Sequence, residues 1–131
     1  MRRSPSRQPN SPGRDRRLAA ELFGRRGETV AAWFLRLKGY RILARRFRTP
    51  AGEIDLVASR FGTLVFVEVK ARRSGAPEDA WIAVNTRRVT AAADFYLARH
   101  PRLAGSDLRY DVIFLAPMTW PRHVVNAFDA A

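Results

Sequence analysis

Apolar residues recur along the chain at two spacings, which predict different elements. A spacing of three and four residues predicts two helices, at Leu18 to Lys38 and from Glu78 or Asp79 to Arg99. Shorter apolar runs predict strands at Tyr40 to Phe47, on both sides of a turn at Phe61-Gly62, at Arg109 to Leu115 and at Arg122 to Phe128. The order of helix, three strands, helix and one or two strands predicts an α/β domain with a central mixed sheet flanked by helices.

The two strands around Phe61-Gly62 separate charged residues from apolar ones. If Arg60 faces Thr63, the pairing of a two-residue hairpin places Asp55 directly opposite Glu68. One face is then aliphatic and consists of Ile54, Leu56, Ala58, Val65, Val67 and Val69. The other face holds Asp55, Val57, Phe66, Glu68 and Lys70. The pattern therefore predicts two carboxylates and one ammonium group close together.

Two like charges directly opposite each other destabilise a sheet unless a cation lies between them. A divalent metal such as Mg²⁺ or Mn²⁺, held by Asp55 and Glu68, would supply that cation, and it is the usual cofactor of phosphodiester cleavage. Lys70 could then stabilise charge on a phosphate or position a water molecule. The alternative is a structural ion cluster in which Lys70 neutralises the two acids, and spacing alone does not separate the two.

Basic residues outnumber acidic ones by 24 to 12, giving a net charge of +12. Such a charge predicts an anionic partner, with nucleic acid as the first candidate. The absence of cysteine excludes disulfides and thiolate metal sites and fits a cytoplasmic location, and no apolar run is long enough to span a membrane. Arginines near the hairpin are candidate phosphate contacts: Arg45, Arg46, Arg48, Arg72, Arg73, Arg87 and Arg88.

The first 17 residues form a separate compositional region with six arginines and three prolines. This composition predicts a disordered basic arm, which either adds salt-sensitive phosphate contacts or has no function, and it leaves 18–131 as a single domain. Glu28, near the apolar stripe of the first helix, either leans toward the hairpin or is solvated beside Arg25 and Arg26. The two histidines are interpreted as structural and the three tryptophans as core or edge packing.

Several segments resemble the YraN-like family of small bacterial proteins. They are Gly27-Glu28, Gly39-Tyr40, Gly52-Glu53-Ile54-Asp55-Leu56, Phe66-Val67-Glu68-Val69-Lys70-Ala71-Arg72, Ala91-Ala92-Ala93-Asp94-Phe95-Tyr96-Leu97 and Arg109-Tyr110-Asp111-Val112. That family is similar to the PD-(D/E)XK nuclease superfamily, which is restriction-endonuclease-like, and especially to archaeal Holliday-junction resolvases, whose core has the αβββαβ order. The resemblance implies that Asp55, Glu68 and Lys70 are the motif residues.

The resemblance also implies that Glu28 is the acid from the first helix, and that the protein is an endonuclease that hydrolyses DNA phosphodiester bonds, with Glu28, Asp55 and Glu68 holding Mg²⁺ or Mn²⁺. Resolvase-like relatives act as dimers, which is compatible with a homodimer. One departure is Asn85-Thr86, where YraN-like proteins commonly have Lys-Gln, so Arg87 or Arg88 would have to substitute. The alternative function is a non-catalytic nucleic-acid-binding module with the same fold.

Overall fold

A five-stranded mixed sheet separates two long helices that pack on its opposite faces. The computed structural model describes residues 12–71 and 78–128, with side chains described at 25–71 and 86–128. The elements in chain order are α1 (Pro12–Leu37), β1 (Arg41–Thr49), β2 (Gly52–Arg60), β3 (Thr63–Ala71), α2 (Glu78–Arg99), a short 3₁₀ helix (Pro101–Leu103), β4 (Asp107–Leu115) and β5 (Arg122–Val124).

The strands lie in the sheet in their sequence order, β1-β2-β3-β4-β5. Strands β1, β2 and β3 are antiparallel neighbours, β4 is parallel to β3, and β5 is antiparallel to β4. A parallel pair needs a crossover connection, and α2 supplies it between β3 and β4. The predicted α/β fold with its αβββαβ order is confirmed.

Each helix buries a different face of the sheet. Helix α1 packs Ala31, Ala32 and Leu35 against a cluster that includes Leu56, Val65, Val67 and Ile113. Helix α2 packs Val89, Ala92, Ala93 and Tyr96 against Val57, Leu64, Phe66 and Tyr110. Because neighbouring residues of a strand point to opposite faces, the central strands are apolar on both sides.

Two glycines permit close approach between helices and sheet. A Cβ atom at Gly27 of α1 would lie 3.2 Å from Leu115 Cδ1, so that side chain of β4 would have to shift by a few tenths of an ångström. A Cβ atom at Gly52 of β2 would overlap the backbone carbonyl of Arg88 in α2. Gly27 precedes Glu28 and Gly52 lies three residues before Asp55. The two glycines therefore allow a helix to lie close to the sheet near each of these acids.

The elements differ from the sequence predictions at three places. Helix α1 begins at Pro12 and not at Leu18, so residues 12–17 are helical and not part of a disordered arm. Proline is well suited to the first helical position, because its missing N–H has no partner there in any case. Residues 1–11 of the predicted arm lie outside the described residues. Val30, whose helical spacing from Leu22, Phe23, Phe34 and Leu35 predicts a place in the core stripe, is half exposed.

The third difference is at the end of the sheet, where β5 stops at Val124 and not at Phe128. Asn126 has a φ of +54°, which ends the extended conformation. Its backbone N–H donates to the side chain of Asp111, 2.9 Å away, and so is lost to strand pairing. Within the part of the chain that is described, neither helix has the length and apolarity to cross a bilayer.

Candidate functional site

The β2–β3 hairpin has the register predicted from the sequence. Its turn residues Phe61 and Gly62 have φ of +49° and +79°, as a type I′ turn requires. The pairs run from Arg60 opposite Thr63 to Leu56 opposite Val67. The next step outward along both strands reaches Asp55 and Glu68, so the two acids lie side by side just beyond the last backbone pair, Leu56 with Val67.

The alternation of side chains is broken at Asp55. Leu56 packs toward α1, and two residues earlier Ile54 should do the same, but Ile54 lies in the cluster under α2. The assignment of Ile54 to the aliphatic face was therefore wrong. The cause lies on the neighbouring strand, where Arg46 between the pairs Arg45–Leu56 and Phe47–Ile54 has a φ of +53° and interrupts the pleat.

The side chain of Asp55 replaces part of the backbone ladder between β2 and β3. Its Oδ2 accepts a hydrogen bond from the backbone N–H of Val69 at 2.8 Å. In a regular hairpin that N–H would donate to a carbonyl of the opposite strand. The two strands therefore stop exchanging backbone hydrogen bonds at this rung and a carboxylate occupies the junction.

Three acidic side chains from three elements meet at this junction. Asp55 forms side-chain hydrogen bonds with Glu28 of α1 and with Glu68 of β3, and its backbone N–H donates to the Glu68 carboxyl group. Glu28 and Glu68 are only 7% and 9% exposed. We call Glu28, Asp55 and Glu68 the carboxylate cluster. Their convergence, expected for Asp55 and Glu68 from register and for Glu28 from resemblance, is present in the fold.

The carboxylate cluster holds its protons more tightly than ordinary carboxyl groups. Burial raises the pKa of Glu68 well above its usual value, and the charge of Asp55 raises it further. Burial also raises the pKa of Asp55, although the Val69 N–H works in the opposite direction. The pKa of Glu28 is raised by burial and by Asp55, against the lowering effect of Arg46 and Arg45. Burial is therefore the main reason why all three acids favour the protonated form.

Two oxygens of the carboxylate cluster are buried without a hydrogen-bond partner, Glu28 Oε2 and Glu68 Oε1. Arg46 Nε lies 3.2 Å from Glu28 Oε2, which makes an ion pair, but its N–H is not aimed at that oxygen. Oxygen donors of this kind suit a hard cation such as Mg²⁺ or Mn²⁺. Among the described residues no three acidic or histidine side chains surround one point as a metal site would require. The fit to a cation therefore rests on the chemistry of the oxygen donors and on their unmet hydrogen bonds.

The predicted basic residues occupy different surroundings. Lys70 is partly buried on β3, two residues after Glu68 and therefore on the same face. Arg45 donates to Thr29 Oγ1 at 2.7 Å, and Arg48 lies 3.7 Å from Glu53, so both contact the protein itself. Arg87 and Arg88 are exposed on α2. Arg72 and Arg73 lie outside the described residues, as does the side chain of Asn85.

A second buried acid, which the sequence did not single out, lies on β4. Asp111 has no exposed surface and accepts from Arg109 Nε and Nη2 at 2.9 and 2.8 Å, from His123 Nε2 at 2.7 Å and from the Asn126 N–H. Lys38 Nζ lies 2.6 Å from the other ring nitrogen of His123. We call Asp111, Arg109, His123 and Asn126 the Asp111 cluster. The Arg-x-Asp spacing on a strand, which puts both side chains on one face, was its only signal.

Burial alone would raise the pKa of Asp111, but the bonds from His123, Arg109 and the Asn126 N–H outweigh it and lower the pKa. These hydrogen bonds use the lone pairs of both oxygens of the Asp111 carboxylate. The structural interpretation of His123 agrees with this placement. The Asp111 cluster ties β4, β5 and the end of α1 together and leaves no bonding capacity for a ligand.

Comparison with known proteins gives one consistent family. A sequence model described as "Uncharacterised protein family UPF0102" matches residues 27–115. Similar UPF0102 proteins occur in Rhodopseudomonas palustris strain BisA53, 48% identical over 94% of this chain and 95% of its own length, and in strain CGA009, 54% identical over 87% and 88%. A UPF0102 protein of Parvibaculum lavamentivorans is 51% identical over 85% of this chain and 84% of its own.

Proposed function

From the premise that this chain belongs to the uncharacterised protein family UPF0102, which is YraN-like, we propose that it is a metal-dependent endonuclease that hydrolyses DNA phosphodiester bonds. The carboxylate cluster is the proposed centre, with Lys70 beside it. The observation that supports this most strongly is that two buried oxygens next to Asp55, Glu28 Oε2 and Glu68 Oε1, have no hydrogen-bond partner, although Glu28 Oε2 forms an ion pair with Arg46. Native structures rarely leave buried polar atoms unpaired without a functional reason.

A divalent cation would be held by Glu28, Asp55 and Glu68, where it would polarise a phosphate and lower the pKa of a bound water. The residues of the chain have separate tasks around it. Asp55 is fixed by the Val69 N–H, so its orientation does not depend on a ligand. Glu68 is hydrogen-bonded to Asp55 and would hold the cation from the neighbouring strand.

The cations around the cluster would act on the substrate and on the acids. Lys70, on the face of Glu68, would place an ammonium group near the charge that develops on the phosphate. Arg46 pairs with Glu28 and lowers the pKa of that acid, against the burial and the Asp55 charge that raise it. The exposed Arg87 and Arg88, together with the net charge of +12, would contact backbone phosphates on either side without reading base sequence.

A cleavage assay with a matched pair of variants tests the proposal. Purified wild-type protein is incubated with branched, flap, single-stranded and duplex DNA in Mg²⁺ or Mn²⁺, and so are Asp55→Asn and Glu53→Gln. Asp55→Asn keeps the acceptor for the Val69 N–H but removes the charge. Glu53→Gln is the control, because Glu53 is exposed and lies 3.7 Å from its partner Arg48. Cleavage by wild type and Glu53→Gln but not Asp55→Asn supports the proposal; identical cleavage by all three assigns the activity to a contaminant.

One observation favours the alternative of a non-catalytic DNA-binding module. The acids of the carboxylate cluster bond to one another, and no described set of three ligating groups surrounds a common point. Calorimetry distinguishes the two functions. A binding module takes up DNA with a steep salt dependence but shows no metal uptake that Asp55→Asn abolishes, whereas a nuclease centre shows both.

A further inference from the structure

The loop between β4 and β5 presents two large apolar side chains to solvent. Met118 is fully exposed, at 102%, and Trp120 is 84% exposed. The interpretation of Trp120 as core or edge packing was therefore wrong, as it was for Trp33, which is 60% exposed. The side chain of Trp81 lies outside the described residues. A tryptophan this exposed contributes little to the stability of the fold.

The backbone of the loop is held in a tight turn. The N–H and the hydroxyl of Thr119 both donate to the carbonyl of Ala116, at 3.4 and 3.1 Å. Pro117 follows Ala116, and Met118 has a φ of +62°. This is the pattern of a type II turn, whose third position favours glycine or asparagine because φ is positive there. Methionine at that position is unfavourable for the backbone, and its exposed side chain gains no packing in return.

The sheet register places the loop beside the proposed centre. Leu115, the last residue before the loop, pairs with Ala71, and its Cδ1 lies against Gly27, the neighbour of Glu28. Phe114 lies between Lys70 of β3 and Arg122 of β5. Since adjacent strands are about 4.8 Å apart, the backbone of Arg122 is about 10 Å from that of Lys70. The loop thus leaves and rejoins the sheet at the end of the strands where Glu68 and Lys70 lie.

We propose that Trp120 and Met118 bind an unpaired base of DNA next to the phosphate held at the carboxylate cluster. The inference rests on the proposed function and narrows its substrate class to DNA with a gap, flap or junction. Aromatic side chains stack on the faces of bases, and methionine inserts between them as a polarisable wedge. In continuous duplex those faces are covered by neighbouring base pairs. The basic surface supplies the complementary charge for the backbone.

Affinity measurements with two matched tryptophan variants test the proposal. The full chain carrying Asp55→Asn, which is expected not to cleave, is titrated with DNA that has a one-nucleotide gap and with continuous duplex of the same sequence. Adding Trp120→Ala is expected to weaken gap binding by roughly 5- to 150-fold, the effect of losing one stacked base, and to leave duplex binding unchanged. Trp33→Ala, on the outer face of α1, is expected to change neither.

A fluorescent base reports the contact directly. 2-Aminopurine opposite the gap should change its emission on binding, and Trp120→Ala should abolish the change. Met118→Gly relieves the positive φ and should keep or raise the melting temperature while it weakens gap binding. An equal loss on gap and duplex, no loss from Trp120→Ala, or a loss from Trp33→Ala overturns the proposal.

The same experiment separates this inference from the proposed function. Binding of gapped DNA that depends on Trp120, in a protein whose wild type cleaves nothing in Mg²⁺ or Mn²⁺, supports the stacking loop and overturns the nuclease. Cleavage that depends on Asp55 but is indifferent to Trp120 on every substrate supports the nuclease and overturns the stacking loop. Absence of any DNA binding at low salt overturns both.

Discussion

Two buried acidic clusters, on neighbouring strands of one sheet, have opposite electrostatic character. In the Asp111 cluster one carboxylate meets a guanidinium, an imidazole and a backbone N–H, and its pKa is lowered. In the carboxylate cluster Asp55 bonds to two other acids, Arg46 pairs with Glu28, and all three pKa values are raised. The chain folds to bury both.

The contrast bears on a question that spacing in the sequence left open: whether Asp55 and Glu68 form a structural ion cluster or a metal site. A structural ion cluster in this protein looks like the Asp111 cluster, in which each buried polar group is bonded. The carboxylate cluster instead keeps two buried oxygens without hydrogen bonds. Perturbed acids with unmet bonding capacity are typical of sites that complete themselves with a ligand.

The largest expected effect is on catalysis. Asp55→Asn should lower DNA cleavage on the order of 10⁴-fold, the scale of removing one member of a catalytic set, because its charge is needed to hold the metal. Its stability should not fall, since asparagine still accepts from Val69 and one of three repelling charges is gone. Single-turnover cleavage and urea unfolding measure the two quantities. If Asp55→Asn were less stable than the wild type, the carboxylate cluster would stabilise the fold in the way that the Asp111 cluster does.

The second largest effect is on the free energy of unfolding and concerns the Asp111 cluster. Asp111→Asn should lower the free energy of unfolding by about 3 kcal/mol, because it leaves Arg109 without a charged partner in a mostly buried position. Urea denaturation measures the loss, and Asp107→Asn, exposed on the same strand, is the control. A loss below that of the control would show that the Asp111 cluster does not stabilise the sheet.

The two clusters should also respond to pH with opposite sign when divalent metal is removed by a chelator. The pKa of Glu68 is raised, so above pH 4.5 the folded state binds more protons than the unfolded state and stability falls as pH rises through the raised pKa. The pKa of Asp111 is lowered, so its contribution is complete above pH 3.8 and is lost as pH falls below it. Melting temperatures measured across pH should no longer fall with rising pH in Glu68→Gln. In Asp111→Asn they should no longer fall as pH drops below 3.8. Unchanged slopes in both variants would contradict the assignment.

The smallest effect is stabilisation by metal. Mn²⁺ at ten times its dissociation constant should stabilise the wild type by about 1.4 kcal/mol, since it binds only the folded state. Glu68→Gln should lose this gain because a ligand is missing. Variants of the Asp111 cluster should keep it, as measured by the shift of the unfolding curve at fixed pH. A gain retained by Glu68→Gln would place the metal elsewhere.

The sequence predicted the parts of the site that depend on local pairing. Once the turn at Phe61-Gly62 was located, the register that brings Asp55 to Glu68 followed from the geometry of a two-residue hairpin. The place of Glu28 did not follow from local pairing. Helical spacing left it either solvated or turned toward the hairpin, and only the family resemblance favoured a position facing the hairpin. Its place is decided by the close approach of α1 at Gly27, a tertiary contact that no local pattern contains.

Other features could not be predicted because the chain does not follow its local preferences. The side assigned to Ile54 was wrong because Arg46 adopts a positive φ, which arginine seldom does. The exposure of Trp120 and Met118 was missed for a similar reason, since a large apolar residue is expected inside. These departures cluster around the proposed site, where local rules are most often broken for function.

The arginines of β1 have a consequence for self-association. Strand β1 lies at the open edge of the sheet, where unpaired backbone groups can add a strand from another molecule. The irregularity between Ile42 and Ala44, together with the charges of Arg41, Arg45, Arg46 and Arg48, makes this edge a poor template for such pairing. The positive charge that we propose contacts DNA therefore also disfavours strand pairing between molecules, and replacing it with apolar residues would remove both properties at once.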